Sequence, residues 1–171
     1  MTRILALVPE TDMTTVVSVT TRINGPAGPV FDLVTSARFW PEWHPATLSV
    51  SGVIHQPYQL GDVVHERVRF AGLELEVTWR VAEHLRPARV VLQALTSPAR
   101  ITYSFEMRGD AIEFRRELEY DEALLMHVVP GADHLRTLMQ SQSDEGVRRL
   151  KELVEQRLRD ERLAATDFAQ S

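Results

Sequence analysis

The 171-residue sequence contains no cysteine, which excludes disulfide bonds, thiolate metal ligands and cysteine nucleophiles. No apolar run approaches the roughly 20 residues of a membrane-spanning helix. The apolar run at residues 4–8 is also too short for the core of a signal peptide. Basic residues are outnumbered, 19 against 24 acidic ones, and an acidic domain does not attract nucleic acid or anionic lipid. We therefore expect a cytoplasmic protein with no nucleic-acid partner and no stable membrane insertion.

Sequence motifs for common catalytic chemistries are also missing. There is no glycine-rich phosphate loop, no nucleophile elbow and no dinucleotide fingerprint. His127 and His134 flank the turn Pro130-Gly131, a spacing that matches no metal motif. The sequence thus predicts no metal site and no other cofactor.

The composition is that of an ordinary globular domain, with 44% apolar and 25% charged residues. A chain of this length buries enough surface for a core of its own. The segment 1–13 fits no regular element and is predicted as a flexible N-terminal tail. We expect one domain over 14–163 and a C-terminal tail over 164–171. A homodimer is compatible with the sequence.

Alternating apolar and polar residues predict a first strand over 14–24. Six more strand-like runs follow, separated by turn-forming pairs such as Gly61-Asp62 and Gly109-Asp110. These runs span 48–54, 62–70, 73–84, 88–96, 100–107 and 111–121. Their short connections predict an antiparallel meander.

Helical segments flank the later strands. A short helix is expected over 30–34, and a second, irregular one carries Trp40, Pro41 and Trp43. Apolar residues at helical spacing predict a long helix over 132–162, about 45 Å at 1.5 Å per residue. Such a helix must cover the sheet as a second layer. A curled sheet closed by one helix leaves a cavity between them.

This order of elements resembles the START/Bet v 1-like (SRPBCC) superfamily, and within it the polyketide cyclase/dehydratase and lipid-transport families. Several segments between residues 14 and 160 are similar to family segments. They are Phe-Trp-Pro-Glu-Trp-His-Pro at 39–45, Leu-Gly-Asp at 60–62, Val-Thr-Trp-Arg-Val-Ala-Glu at 77–83 with Arg86-Pro87, and Tyr-Ser-Phe-Glu at 103–106 with Gly109-Asp110. The resemblance implies an α+β helix-grip fold: a curved seven-stranded antiparallel sheet, two short helices and a long C-terminal helix enclosing a cavity. It implies a ligand between helix and sheet, and no fixed set of catalytic residues.

Two charged residues fall on strand faces that are otherwise apolar. Glu66 lies between Val64 and Val68, and Arg116 lies between Phe114 and Leu118. A charge on a core-facing row is costly unless it is paired or hydrated, and such exceptions cluster at functional sites. One interpretation makes Glu66 a general acid or base and Arg116 a group that binds a carboxylate or an enolate oxygen. The alternative is a structural ion pair, or a β-bulge that turns one of them outward.

Two further segments are candidates for the cavity wall. Trp40, Trp43 and His44 are expected at its mouth, with His44 as a possible base. The alternatives are core aromatics and a surface histidine. On the long helix, Gln142 and Gly146 interrupt the apolar stripe. Either a ligand passes beneath this helix, or Gly146 admits a bulky sheet residue such as Trp79.

The predicted site therefore has three candidate catalytic residues, Glu66, Arg116 and His44. The predicted ligand-binding residues are the apolar, aromatic and small residues facing the cavity from the sheet, the short helix and the long helix. They are Trp40, Trp43, Val68, Phe70, Leu75, Val77, Trp79, Tyr103, Phe105, Phe114, Leu138, Met139, Gln142 and Gly146.

Three functions are consistent with this site. The first is a cyclase, dehydratase or isomerase acting on a small hydrophobic, partly oxygenated ligand, such as a polyketide-like compound. The second is a non-catalytic carrier of a lipid or fatty acid, in which Arg116 pairs with the head group and Glu66 is dispensable. The third is a protein-interaction module that uses acidic outer faces around Glu74 and Glu117. The third predicts a cavity filled by side chains.

Overall fold

Seven antiparallel strands form one sheet in the computed structural model, which describes residues 14–169. The elements in chain order are β1 Thr14–Asn24, α1 Ala27–Val34, a 3₁₀ turn Ala37–Phe39, α2 Trp40–Trp43, β2 Thr47–Gly52, β3 Val63–Phe70, β4 Leu73–Leu85, β5 Arg89–Ala94, β6 Arg100–Arg108, β7 Ala111–Asp121, α3 Glu122–Leu125 and α4 Ala132–Ala169. The predicted N-terminal tail, 1–13, lies outside the described residues.

The strand order β1-β7-β6-β5-β4-β3-β2 places the first two strands at opposite edges. The chain crosses between these edges through α1, the 3₁₀ turn and α2. Helix α4 packs against β1, α1 and α2, so it closes the concave face of the sheet. The predicted helix-grip fold and the antiparallel meander are confirmed.

Some element boundaries differ from the sequence-based expectation. Helix α1 begins at Ala27 after an extended Pro26, because Pro29 is tolerated anywhere in a first helical turn. Helix α3 was not expected, and it forms because the Asp121 carboxylate accepts hydrogen bonds from two backbone N–H groups. Helix α4 continues to Ala169, past the predicted end at 162. Residues 164–169, predicted as tail, extend this helix with exposed side chains.

Buried apolar residues form two clusters. The larger one lies under α1 and the C-terminal half of α4, around Phe31 and Phe114. The smaller one joins Val17 and Tyr120 to the N-terminal turns of α4 at Leu135. The cavity described below is lined by members of both clusters, so it lies where they meet. Among residues 14–169, no helix has both the length and the apolarity that crossing a membrane requires.

Candidate functional site

A cavity of about 160 Å³ lies between the concave face of the sheet, α2 and α4. An engineered protein cavity of about 150 Å³ accommodates benzene, so this one has room for a group the size of one aromatic ring. Most of its wall is apolar. The lining residues are Trp40, Trp43, His44, Ala46, Glu66, Val68, Phe70, Leu75, Val77, Trp79, Ser97, Ala99, Ile101, Tyr103, Arg116, Leu118, Tyr120, Leu125, Met139, Gln142 and Ser143.

Arg116 is the buried cation of this cavity, with 3% of its surface exposed. Its Nη1 donates to Ser143 Oγ of α4 at 3.0 Å. Tyr103 lies directly opposite Arg116 on β6 and also lines the cavity. Within residues 14–169, no carboxylate lies at ion-pair distance from Arg116, and Glu66 acts on it only through the longer-range field. The guanidinium therefore keeps its positive charge without a direct counter-ion.

Glu66 on β3 is the buried carboxylate of the cavity. The Thr47 hydroxyl donates to Oε1, and Trp79 Nε1 donates to Oε2 at 2.9 Å. Burial raises the pKa of Glu66, although these two hydrogen bonds and the Arg116 cation oppose the rise. A carboxyl group whose neutral form is favoured by burial is suited to exchanging a proton with a ligand.

His44 lies in the turn after α2, where Pro45 restricts it to the extended backbone that ends the helix. Its Nδ1 is 2.9 Å from Thr47 Oγ1 and 3.9 Å from Glu66 Oε1. Burial and the Arg116 cation lower the pKa of His44 to about 3. The ring is therefore neutral at physiological pH, so one nitrogen is a donor and the other an acceptor.

Several buried polar atoms on the cavity wall have no hydrogen-bond partner among the described residues. They are Arg116 Nε, Trp43 Nε1 and the Tyr120 hydroxyl. Buried donors are normally paired, and leaving one unpaired costs about 1–3 kcal/mol. Three such groups around one apolar cavity are suited to an oxygen-bearing ligand.

The structure brings most of the predicted site residues together. Glu66, Arg116 and His44 all face the cavity, as do ten of the predicted ligand-binding residues. The alternatives of an ion pair between Glu66 and Arg116, and of a histidine at the surface, are both wrong. The roles of these residues in binding and catalysis stay predictions.

Four predicted ligand-binding residues lie away from the cavity wall. Phe105 and Phe114 pack against each other, with ring centroids 5.2 Å apart, and Phe105 also packs against Phe31 of α1. The side chains of Phe105 and Phe114 lie on the concave face of the sheet as predicted, but at the end of the sheet that α1 covers. Leu138 is partly buried against the smaller core cluster instead.

Gly146, the fourth, lies beneath the segment that follows α2. A Cβ at this position would be 3.4 Å from Pro45 Cδ and 3.6 Å from atoms of His44 and Trp43. Gly146 therefore packs against the segment after α2 and not against Trp79, so the expectation of Trp79 at this position is wrong. Gly146 does not line the cavity, and its contact with a ligand stays a prediction. It allows α4 to approach the turn that carries His44.

We expect Gly146→Ala to stabilise the protein by about 0.5–1 kcal/mol, because alanine favours the helix and its Cβ makes ordinary contacts here. Gly146→Leu should cost about 1–3 kcal/mol through overpacking against Trp43 and Pro45. Urea unfolding of both variants measures this, with the exposed Ser141→Ala in the same helix as control. A destabilised Gly146→Ala variant contradicts the packing described.

Sequence analysis missed two polar residues of the site. Thr47 is buried because a β-bulge between Thr47 and Ser49 shifts the register of β2 against β3. Ser143 was assigned to no face, although its spacing of four from both Met139 and Val147 gives a helical signal. Both are small hydroxyl residues that hydrogen-bond to a predicted site residue.

No group of three or more histidine, aspartate or glutamate side chains in the described part of the chain is arranged to hold a metal ion. The cavity contains one carboxylate and one histidine that are close together, and its other polar groups are the Gln142 amide, N–H donors and hydroxyls. The prediction of no cofactor is not tested by this arrangement.

Comparison with known proteins gives one family and many similar folds. Residues 14–155 match the family described as polyketide cyclase/dehydrase and lipid transport. A similar structure is the ZhuI aromatase/cyclase of Streptomyces sp. R1128, with 15% identity, a TM-score of 0.66 and coverage of 85% of this chain and 96% of that one.

Two other solved structures are similar at the same level. A START superfamily protein from Mycobacterium smegmatis has 16% identity and a TM-score of 0.64, over 82% of this chain and 97% of that one. The di-domain aromatase/cyclase BexL of the BE-7585A biosynthetic pathway has 21% identity and a TM-score of 0.64. That match covers 87% of this chain and 52% of BexL. None of the curated proteins matches the chain. These likenesses show the fold.

Proposed function

Because the chain belongs to the polyketide cyclase/dehydrase and lipid transport family, we propose that its cavity binds a small hydrophobic, partly oxygenated molecule and catalyses its cyclisation or dehydration. The observation that carries the proposal is the buried guanidinium of Arg116 in an apolar cavity, whose Nε has no hydrogen-bond partner and which has no direct counter-ion among residues 14–169. Such a group attracts a carboxylate, a carbonyl oxygen or an enolate.

The proposed chemistry needs one base and one cation. His44 or Glu66 removes a proton from the carbon next to a substrate carbonyl, and the electron pair moves to the oxygen as an enolate. Arg116 stabilises the negative oxygen, at a place where little water weakens the interaction. The enolate carbon then attacks a second carbonyl to close a ring, and the protonated base returns its proton to the new alkoxide oxygen. In the alternative reaction the enolate expels a β-hydroxyl group, which takes this proton from the base and leaves as water. Neither reaction requires a redox or metal cofactor.

The cavity favours a compact ligand over a long-chain lipid. Drug-sized ligands occupy pockets of about 300–1,000 Å³, whereas this cavity measures about 160 Å³. The carrier alternative also assigns no task to Glu66. An interaction module predicted a filled cavity, and the acidic outer residue Glu74 is paired with Arg67 and Arg69. The homodimer and the cytoplasmic location stay predictions.

The ligand class can be tested with 2-hydroxybenzoate, a one-ring molecule whose oxygens have the spacing of an enolised β-dicarbonyl. We expect it to bind with one-to-one stoichiometry and at least about tenfold more tightly than the neutral 2-hydroxybenzamide, because Arg116 gains a charged partner. Titration calorimetry measures both affinities. Equal affinities, or no binding of either compound, would contradict the proposal.

A further inference from the structure

The side chains of His44, Thr47 and Glu66 form a continuous chain of hydrogen bonds beside the cavity. His44 Nδ1 lies 2.9 Å from Thr47 Oγ1, and Thr47 Oγ1 makes a short hydrogen bond to Glu66 Oε1. Trp79 Nε1 holds the other carboxylate oxygen at 2.9 Å. His44 and Glu66 themselves are 3.9 Å apart, too far for a direct hydrogen bond. Among the described residues, the Thr47 hydroxyl is therefore the only group that hydrogen-bonds to both His44 and Glu66.

The backbone places Thr47 for this contact. The Thr47 N–H donates to the His44 carbonyl at 3.1 Å, which closes a turn around Pro45 and brings the two side chains to the same side. Thr47 pairs with Val68 and Ser49 with Arg67, so Leu48 is the extra residue of the bulge. Without the bulge, alternation would turn Thr47 outward. Bulges of this kind re-aim a side chain next to functional sites.

Thr47 has one hydroxyl proton, so the chain of hydrogen bonds has a direction. When Glu66 is ionised, Thr47 donates to Glu66 and accepts from His44 Nδ1–H, which leaves His44 Nε2 as a proton acceptor. When Glu66 is neutral, its O–H donates to Thr47, and Thr47 donates to His44 Nδ1. The ring then carries its proton on Nε2. His44 Nε2 is therefore a proton acceptor in the first arrangement and a proton donor in the second.

A histidine that takes up a proton at Nε2 normally becomes a cation. Here the cation would be buried and close to Arg116, which disfavours it. No described residue hydrogen-bonds to His44 Nε2, and His44 lines the cavity. A base in this position can act without charging only if its Nδ1 proton leaves as the new proton arrives.

We infer that Thr47 relays a proton between His44 and Glu66, so that His44 accepts a substrate proton at Nε2 without becoming a cation. The substrate C–H bond breaks, and its electron pair stays on the substrate as an enolate. The proton binds His44 Nε2, the Nδ1 proton moves to Thr47 Oγ1, and the Thr47 proton moves to Glu66 Oε1. The reverse shift returns the proton. The substrate in this step rests on the proposed function, whereas the relay itself does not.

The groups that face the relay do not supply a competing proton at neutral pH. They are Arg116 of β7, Tyr103 of β6 and Tyr58 of the β2–β3 connection. Burial raises the pKa of Tyr103 to about 12 and the pKa of Tyr58 well above its ordinary range. On α4, the neighbours are Gly146 and Ser143, which do not titrate. Glu66 is thus the group whose titration reverses the chain.

The relay can be tested without a substrate, by nitrogen-15 NMR of protein labelled at histidine, which identifies the protonated ring nitrogen. In the wild-type protein we expect His44 to be protonated at Nδ1 at a pH above the raised pKa of Glu66, where this carboxylate is ionised. At a pH below the pKa of Glu66, but above the pKa of His44 of about 3, the proton should lie on Nε2 while the ring stays neutral. One hydrogen bond to a charged group predicts a change in tautomer ratio of about tenfold to hundredfold.

Variants separate a relay from a structural role. Thr47→Val should leave a His44 tautomer that no longer responds to pH, and Thr47→Ser should restore the response. Glu66→Gln should fix the proton on Nε2 at both pH values, because its amide donates to Thr47. Thr78→Val is the matched control, since it removes a similar contact to the exposed His65 and should not change His44.

A wild-type tautomer that is the same at both pH values would overturn the relay, and so would a pH response that survives in Thr47→Val. If the protein binds 2-hydroxybenzoate but the His44 tautomer does not respond to pH, the relay is refuted and the proposed function stays intact. If the His44 tautomer responds to pH but 2-hydroxybenzoate does not bind, the relay is supported and the proposed function is refuted.

Discussion

Replacing Arg116 by methionine is expected to weaken the binding of 2-hydroxybenzoate about 100-fold, while the folded protein stays at least as stable as the wild type. The guanidinium holds a charge in an apolar cavity, where one charge-assisted interaction with a ligand contributes about 2–5 kcal/mol. A loss of about 2.7 kcal/mol corresponds to 100-fold in affinity. Methionine fills a similar volume without a charge and has no polar hydrogen.

The stability of this variant follows from the same environment. In the part of the chain that the structure describes, Arg116 has no direct counter-ion and its Nε has no hydrogen-bond partner. Burying its charge therefore costs free energy that burying methionine does not. Loss of the bond to Ser143 offsets part of the gain. We expect a melting temperature equal to or a few degrees above that of the wild type.

The matched control for Arg116 is its neighbour Arg115, which is exposed on the opposite face of the same strand. Arg115→Met should leave the affinity for 2-hydroxybenzoate unchanged. Calorimetric titration and thermal unfolding of both variants test the prediction. Unchanged affinity in Arg116→Met, or an equal loss in Arg115→Met, would show that Arg116 does not bind the ligand.

Glu66→Gln is expected to make the protein more stable at alkaline pH, with the stabilisation shrinking as the solution is acidified. Burial raises the pKa of Glu66, so the folded state retains its proton more strongly than the unfolded chain. Wild-type stability from this group is therefore present below the ordinary pKa of 4.5 and is lost as pH rises through the higher folded pKa. Glutamine does not titrate and does not suffer this loss.

The size of this effect follows from the linkage between pKa and stability. Each unit by which the folded pKa exceeds the unfolded one corresponds to about 1.36 kcal/mol. His44 contributes the opposite pH dependence, since its pKa is lowered to about 3 and folding stability from it is lost as pH falls below its ordinary 6.5. Subtracting the wild-type free energy of unfolding from that of the variant at each pH removes the contribution of His44 and isolates that of Glu66.

Urea unfolding at about pH 5 and about pH 9 measures the difference in free energy of unfolding. The exposed Glu76 on β4 provides the control. Glu76→Gln should change the free energy of unfolding only slightly, and by the same amount at both pH values. If Glu66→Gln is destabilised at alkaline pH, or follows the same pH curve as the wild type, burial does not dominate the energetics of this carboxylate.

The alternation of apolar and polar residues was sufficient to place the two charges of the site. In β3 and β7 the period of two residues is regular, so a polar residue on the apolar row must face the concave side. Glu66 and Arg116 are both buried for this reason. The pattern did not show that they remain apart, which depends on the strands β4, β5 and β6 that separate them.

Alternation does not show how far along the sheet a residue lies from the cavity. Phe105 and Phe114 share the inner face with Tyr103 and Arg116, but α1 covers their end of the sheet. Which end a short helix covers depends on packing between distant segments. The alternation therefore predicted that Phe105 and Phe114 line the cavity, whereas both pack in the hydrophobic core.

Thr47 and Ser143 illustrate a second limit. A β-bulge changes the face of Thr47, and the local sequence around Leu48 contains no glycine that would mark the bulge. On α4, Gln142 and Ser143 are adjacent polar residues that both line the cavity, whereas only Ser143 reaches Arg116. The angle at which α4 packs on the sheet determines which of these two side chains reaches Arg116. The spacing of apolar residues along the helix does not reveal this angle.

The central claim is that Arg116 binds a ligand oxygen inside the cavity. A crystal structure of the protein with 2-hydroxybenzoate tests it most directly. The account predicts the ring among the apolar wall residues, with a carboxylate oxygen at hydrogen-bond distance from Arg116 Nε. A ring outside the cavity, or a carboxylate that points to the solvent with Arg116 still unpaired, would contradict it.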